Sequence, residues 1–348
     1  MKAVAKKKVP KKAMKNGSKH VLIKHVKRGD SFSGIYFLDK LFHRIAKTGS
    51  TYADLVLGDK SGTQFVRFWG KVENASPGDF VSISANVEEY MGQPQIVAQS
   101  VKRVESPANM TDYIAKIPNR KELLERFNEL LAEVHRICDE TGDQMCRRLL
   151  DSMFSDDHIM EKFKDAPFST WPHYGMRGGL LEHSVRTTEI AVEIAKRMRI
   201  KEPNIAVLIT AGLLHKIGAI DCYEFKGCVP LKSSTGILVG PNANTLSYIF
   251  STIQSVIEKE DEEEELSPES AETARRVLHV IASHDVHDDS GVVPLTEEAL
   301  VFMEAYRTDT TLAEAVDFID KDENREKFSA YDPFLKRQYY KGNEESQG

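Results

Sequence analysis

The stretch Gly178-Gly179-Leu180-Leu181-Glu182-His183, answered further on by Leu213-Leu214-His215-Lys216-Ile217-Gly218, decides how the C-terminal part of this chain folds. Each histidine ends or punctuates an apolar run with helical spacing. Two imidazoles are therefore expected to face each other inside a helical bundle, where metal sites are commonly built. Metal chemistry on phosphodiesters needs neutral imidazoles and carboxylates around a divalent cation that holds hydroxide and offsets phosphate charge. Lys216, directly after the second histidine, departs from that layout.

Around these two segments, residues 165–325 read as an all-α helical bundle. The spacing predicts helices over 182–198 and 205–214, a third over 271–283 leading to His279 and His284-Asp285, and a fourth over 296–306 followed by Asp309. Upstream, Leu123, Leu124, Phe127, Leu130, Leu131 and Val134 recur at helical intervals, and residues 106–164 read as a linker with bridging helices. The acidic run 258–265 carries too much like charge to pack and is expected as a solvated loop or helix end. Residues 326–348 read as a C-terminal tail.

Residues 20–105 change to short β-type runs at 21–23, 34–38, 52–57, 65–69, 80–87 and 94–98. Turn signals divide them at Lys47-Thr48-Gly49-Ser50, Asp59-Lys60-Ser61-Gly62, Pro77-Gly78-Asp79 and Met91-Gly92. So many short strands in one small segment point to a closed β-barrel. The order of features, above all Leu57-Gly58-Asp59-Lys60-Ser61-Gly62-Thr63 followed by 65–69, resembles an OB-fold of the single-strand-binding kind. That resemblance implies aromatic side chains stacking on bases while basic ones follow the backbone. Tyr36, Phe68, Trp69 and Tyr90 are the stacking candidates, with Arg44, Lys47, Arg67 and Lys71 for phosphate. Burial in the barrel core is the competing reading for each aromatic.

A length of 348 residues with 41% hydrophobic content supports two domains plus tails. No apolar run approaches the length of a membrane span and no secretory signal opens the chain, so a soluble, cytoplasmic protein without a membrane partner is expected. Four cysteines stand at spacings that form neither a CxxC pair nor a zinc knuckle, and read as buried thiols. The net charge of −6 conceals an asymmetry: residues 1–105 hold 19 Lys+Arg against 9 Asp+Glu, and the remainder 28 against 44. The front of the protein is the anion-binding end. Residues 1–19, with eight lysines and no acid, read as a flexible basic arm that adds phosphate attraction.

Taken together, the OB-like barrel, the helical bridge, the Gly-Gly-Leu-Leu-Glu-His and Leu-Leu-His segments, Ile281-Ala282-Ser283-His284 and the ending Phe328-Ser329-Ala330-Tyr331 resemble the YhaM-type 3′→5′ exoribonucleases over about residues 20–341. That family joins an OB domain to an HD phosphohydrolase domain, named for an adjacent His-Asp pair. The resemblance implies removal of nucleotides from the 3′ end of single strands with a divalent metal, commonly manganese. By position, His183 and His215 match two metal ligands, and His284 matches the first histidine of a His-His pair whose second member is here Asp285. His279 also matches a family histidine. Lys216 stands where the motif has its Asp, Tyr248 where a later histidine is expected, and Tyr306 where the late metal-binding Asp is expected. Asp309, one turn beyond, is the substitute ligand.

Two functions follow from this reading. One is a protein that binds single-stranded RNA or DNA and whose HD site, at His183, His215 and Lys216, is impaired, with the lysine filling the vacated metal position and bonded to Asp285 or Asp309. The other is an active exoribonuclease using a rearranged ligand set of His183, His215, His284, Asp285 and Asp309. Monomer and homo-oligomer both remain open.

Overall fold

The computed structural model describes residues 20–342 apart from 47, 91–92, 171–173, 227–228, 259–266, 286–290 and 323–325. The basic arm, Lys47 and the acidic run beyond Glu258 thus lie outside the described residues. The chain divides into two compact units, residues 1–114 and 115–348.

In the first unit, five strands close a barrel: β1 (Ser31–Ile45), β2 (Thr51–Asp59), β3 (Gly62–Phe68), β4 (Phe80–Tyr90) and β5 (Gln93–Val104). Their order is β1-β2-β3-β5-β4, with β4 returning to β1. Every pairing is antiparallel except β3 with β5. This is the Greek-key arrangement of an OB-fold. Strand β1 spans 15 residues and serves both edges: Ser31 to Phe37 pair with β4, and Phe37 to Ile45 pair with β2 across an irregularity between Leu38 and Lys40. Such an irregularity lets one strand turn a barrel corner. Alternation along β4 sends Val81, Ile83, Ala85 and Val87 inward.

The expected strand over 21–23 is instead a single 3₁₀ turn, Ile23–His25. Its apolar residue is needed at the barrel end: Ile23 is fully buried, and its backbone N–H donates to the Asp59 carboxylate at 2.7 Å. A local contact with a buried carboxylate therefore overrides the β-propensity of Val-Leu-Ile.

The second unit comprises α1 (Arg120–Thr141), α2 (Met145–Phe154), α3 (Asp157–Asp165), α4 (Gly179–Arg197), α5 (Glu202–Leu214), α6 (Ala219–Cys222), the hairpin β6 (Tyr223–Lys226) and β7 (Val229–Lys232), α7 (Ser234–Leu238), α8 (Pro241–Glu258), α9 (Pro268–Ser283) and α10 (Glu297–Lys321). One continuous apolar core runs through it, with Phe127, Leu149 and Phe163 from α1–α3 buried alongside Leu181, Leu208, Val277 and Phe302. Helices α1–α3 are therefore structural members of this unit. Residues 326–342 form two isolated bridges and bury Ser329 and Asp332.

Within the 19-residue stretch Asn204–Cys222, an 18-residue window has a mean hydropathy of 1.6, which is span length by composition, contrary to the expectation that none exists. The folded chain buries 94% of it. It comprises most of α5, the turn that carries His215 and Lys216, and α6, and is apolar because neighbours cover it.

Candidate functional site

Glycines set the first histidine in place. Gly178 adopts φ +86°, and a Cβ there would meet Ile117 at 2.6 Å. A Cβ on Gly179 would meet the Tyr174 carbonyl oxygen at 2.0 Å. Only glycine lets α4 start this close to the preceding loop, and that start places His183 one turn into the helix. His215 caps the C-terminal end of α5, and His284 caps that of α9. Tyr306 and Asp309 lie on successive turns of α10.

These elements bring together His183, His215, His284, Tyr306 and Asp309, all buried. The Tyr306 ring lies 4.8 to 5.8 Å from each of the three imidazoles. Nδ1–H of His215 donates to the Gly212 carbonyl at 2.7 Å, and Nδ1–H of His284 to the Ile281 carbonyl at 2.6 Å. His183 Nδ1–H donates to Asp309 at 2.8 Å. Asp309 also accepts from the Tyr174 hydroxyl at 2.9 and 3.0 Å and lies 3.5 Å from Arg186. Fixing Nδ1 in this way turns each Nε2 toward the interior, as oriented metal-ligating histidines are fixed.

Two of those nitrogens meet. His183 Nε2 and His215 Nε2 are 3.1 Å apart. Because both Nδ1 atoms donate, a hydrogen bond between the two Nε2 atoms requires a proton on one of them. Burial, then the neighbouring His183, His284 and Lys216, pushes His215 well below the usual histidine range. His215 is therefore the neutral partner in that contact. Burial alone would raise the Asp309 carboxyl; the hydrogen bond and charge of His183, with Tyr174 and Arg186, carry it below its ordinary value. Burial and the charge of Lys216 likewise keep His284 neutral, and its Nε2 has no hydrogen-bond partner among the described residues.

Lys216 is 5% exposed. Its ammonium donates to Asn242 Oδ1 at 2.7 Å, lies 3.5 Å from Asp285 Oδ2 and stands 5.3 Å from the centre of the Tyr306 ring. Burial lowers its pKa, opposed by Asp285. The lysine thus reaches one of its two expected carboxylates, Asp285, while Asp309 serves His183. Two other positions fall elsewhere. His279 Nε2 accepts from the Leu295 backbone N–H at 2.8 Å, and the Tyr248 hydroxyl donates to Asp221 at 2.5 Å.

On the barrel, strand parity sorts the stacking candidates. Phe65 and Arg67 share the outward face of β3, Trp69 follows just beyond its end, and Phe68, half-buried, points inward and packs on the core. Phe68 is therefore corrected from stacking candidate to core residue. Tyr36 is corrected likewise: it is fully buried, its hydroxyl donating to the Val21 carbonyl at 2.7 Å. Trp69 and Tyr90 are exposed. Trp69 lies against Tyr52 at 5.4 Å between ring centres, and the Arg67 guanidinium lies over the same Tyr52 ring at 4.9 Å. Asp54 pairs with both Arg44 and Arg67. Lys71 is exposed. A groove of about 530 Å³ runs between Phe65, Arg67, Tyr90 and Pro94.

Parts of this chain are similar to known proteins. Residues 180–325 match the family model described as HD domain. This segment is an HD domain. The 3′-5′ exoribonuclease YhaM of Listeria monocytogenes serotype 4b is 24% identical over 275 residues, covering 77% of this chain and 81% of that protein. The YhaM of Shouchella clausii is 23% identical over 293 residues, covering 80% and 83%. Among solved structures, the second OB-fold domain of replication protein A from Methanococcus maripaludis matches 26% of this chain and all of that chain, with 15% identity and a TM-score of 0.22.

HD-domain exonucleases generally use divalent metals, and the atoms that would face one here are the inward Nε2 atoms of His183, His215 and His284. No group of three His, Cys, Asp or Glu side chains is arranged to hold a metal ion among the described residues. The carboxylate nearest the imidazoles, Asp309, already serves His183, Tyr174 and Arg186. An ammonium occupies the position beside His215 where the HD motif has its acid.

Sequence reasoning missed Asn242, Tyr174, Arg186, Tyr52 and Phe65. Asn242 had a signal: Gly240-Pro241-Asn242 is a helix-start pattern, with Pro at the first helical position.

Proposed function

We propose that this chain binds single-stranded RNA through its OB barrel and that its HD domain has lost metal-dependent phosphodiester hydrolysis. The observation that carries this reading is the setting of Lys216, a buried ammonium held beside His215 by Asn242 and Asp285. A divalent ion and a fixed ammonium repel across a low-dielectric pocket, and the replaced acid removes a ligand as well. The relatives named exoribonuclease support RNA as the strand and a nuclease-type ancestry. The Phe65, Trp69 and Tyr52 surface with Arg67 supports base stacking and phosphate contact. A cytoplasmic location accords with such a role.

The three inward Nε2 atoms favour a second reading, in which a metal replaces the proton between His183 and His215 and the enzyme remains active. Anisotropy titration and 3′-trimming assays on one labelled RNA, with manganese or with EDTA, separate the two. Salt-sensitive binding in EDTA without trimming in manganese supports the binding protein. Robust trimming that His215→Ala abolishes overturns it.

A further inference from the structure

Residues 326–342 reverse the ordinary hydrophobic order. Phe328, Tyr331, Phe334 and Tyr340 are between 51% and 66% exposed, whereas Ser329 and Asp332, interspersed among them, are buried. The buried pair is the scaffold of a small lobe. Ser329 Oγ accepts from the Tyr339 N–H at 2.9 Å, and the Ser329 N–H donates to the Tyr339 carbonyl at 2.8 Å. Asp332 accepts from the N–H groups of Phe334 and Leu335 and from the Tyr339 hydroxyl. The Lys341 ammonium ties the end of the lobe to Asp322, the C-cap of α10, at 2.8 Å. Polar anchors thus fill the inside and leave the rings outside, with Phe328 and Tyr340 5.4 Å apart between centres. Exposed rings gathered in so short a segment mark a contact surface.

Charge selects the partner. The exposed charges of the segment are Lys327, Lys336 and Arg337 against Glu326, a local reversal within residues 106–348, which hold 28 Lys+Arg and 44 Asp+Glu. The tip of the lobe is the turn 333–336, closed by the antiparallel bridge of Asp332 with Arg337. Lys336 takes φ +53° there, a left-handed conformation that glycine adopts readily and lysine only under strain. That strain is borne at a position that presents a cation on the same turn as the Phe334 ring. Rings interleaved with cations suit a single strand, whose unpaired bases stack while its phosphates meet the cations. An apolar protein face would bury those cations unpaired. A symmetric contact with a second copy of this chain would set them against their own like.

We propose that this C-terminal lobe is a second contact surface for single-stranded RNA, in addition to the barrel, with bases stacking on Tyr331 and Phe334 and phosphates on Lys336 and Arg337. The inference rests on the reading that the chain binds single-stranded RNA, and adds a second place where it does so.

Anisotropy titration of the full chain in EDTA with a labelled oligouridylate of about 20 nucleotides tests it. Phe334→Ala should weaken binding about fivefold or more, the effect of losing one stacking ring. Lys336→Gly should weaken it and reduce the slope of log affinity against log salt by about 0.7, the share of one phosphate contact on a single strand. Glycine suits the φ of +53°, so this variant keeps the lobe folded, which thermal melts verify. The same oligonucleotide carrying 4-thiouridine should photocrosslink within residues 328–340, and should still do so in Trp69→Ala. Unchanged affinity in both lobe variants, with crosslinks confined to the barrel and binding still weakened by Trp69→Ala, overturns the proposal and leaves the barrel reading standing. Unchanged RNA affinity together with lost self-association of the lobe variants in sedimentation assigns the surface to contact between copies and overturns it as well. Absence of binding by the wild type at low salt overturns both readings.

Discussion

Replacing Lys216 by methionine removes the ammonium while nearly conserving volume, and should open the imidazole cluster to manganese. The ammonium lies 5.3 Å from the Tyr306 ring centre, and that ring lies 4.8 to 5.8 Å from the three imidazoles. A separation of about 7 Å between the ammonium and an ion at those imidazoles gives a repulsion of about 5 kcal/mol at an effective dielectric of about 20. Removing it should tighten manganese binding by about three orders of magnitude. Lys216→Asp should tighten it further by restoring an acid, at a stability cost of about 2 kcal/mol, because Asp285 then faces a like charge. Electron paramagnetic resonance titration of free manganese against the wild type and both variants measures the affinities, and thermal melts establish that each is folded. Micromolar, stoichiometric manganese binding by the wild type, no tighter in Lys216→Met, would refute the electrostatic reasoning.

The barrel and the buried histidines yield three further expectations. Trp69→Ala should weaken single-stranded RNA binding by about 1–3 kcal/mol in anisotropy titrations, the usual worth of one stacking ring; unchanged affinity removes this face from the interface. Tyr36→Phe should cost about 1 kcal/mol in urea unfolding through loss of the hydrogen bond to Val21, with RNA affinity unaltered; a loss of affinity without a loss of stability would restore Tyr36 as a contact residue. His215 and His284 bind fewer protons folded than unfolded, so stability is retained above pH 6.5 and falls as pH drops below it, by about 1.4 kcal/mol per pH unit for each. His284→Phe should therefore flatten the decline between pH 6.5 and 5.5 by about half, and identical slopes in urea unfolding would contradict the burial argument.

The strands and the long helices were legible because their periodicity is strong. β2 through β5 fall on the alternating runs, and α4 and α5 fall on the apolar runs that carry His183 and His215. Facing was harder to read than position. Tyr36, Phe68, Trp69 and Tyr90 are all strand aromatics by composition, and only register and parity separate Trp69 and Tyr90 from the two that turn into the core. Helix α8 was hidden because Asn242, Asn244, Thr245 and Ser247 dilute its apolar stripe, although Ile249 and Val256 are buried. The hairpin β6–β7 interrupts the bundle with four-residue strands, too short for their periodicity to register. The partners of Lys216 come from two segments distant in sequence, and no local pattern links them.

The charge inventory explains how a histidine cluster can persist beside a lysine. His215 and His284 are neutral, each anchored through Nδ1 to the carbonyl of its own helix end, and need no external cation to stay in place. His183 and Arg186 face Asp309, and the ammonium of Lys216 faces Asp285. Each buried cation thus has a carboxylate partner, the condition under which charges are tolerated in an apolar interior. Admitting a divalent ion would add positive charge to a pocket that already contains an ammonium. Exchanging an acid for Lys216 alters the local charge by two, the amount that one divalent ion would otherwise supply. On this argument, the contacts of Lys216 with Asp285 and of His183 with Asp309 help hold the helix ends of α4, α5 and α9 around Tyr306.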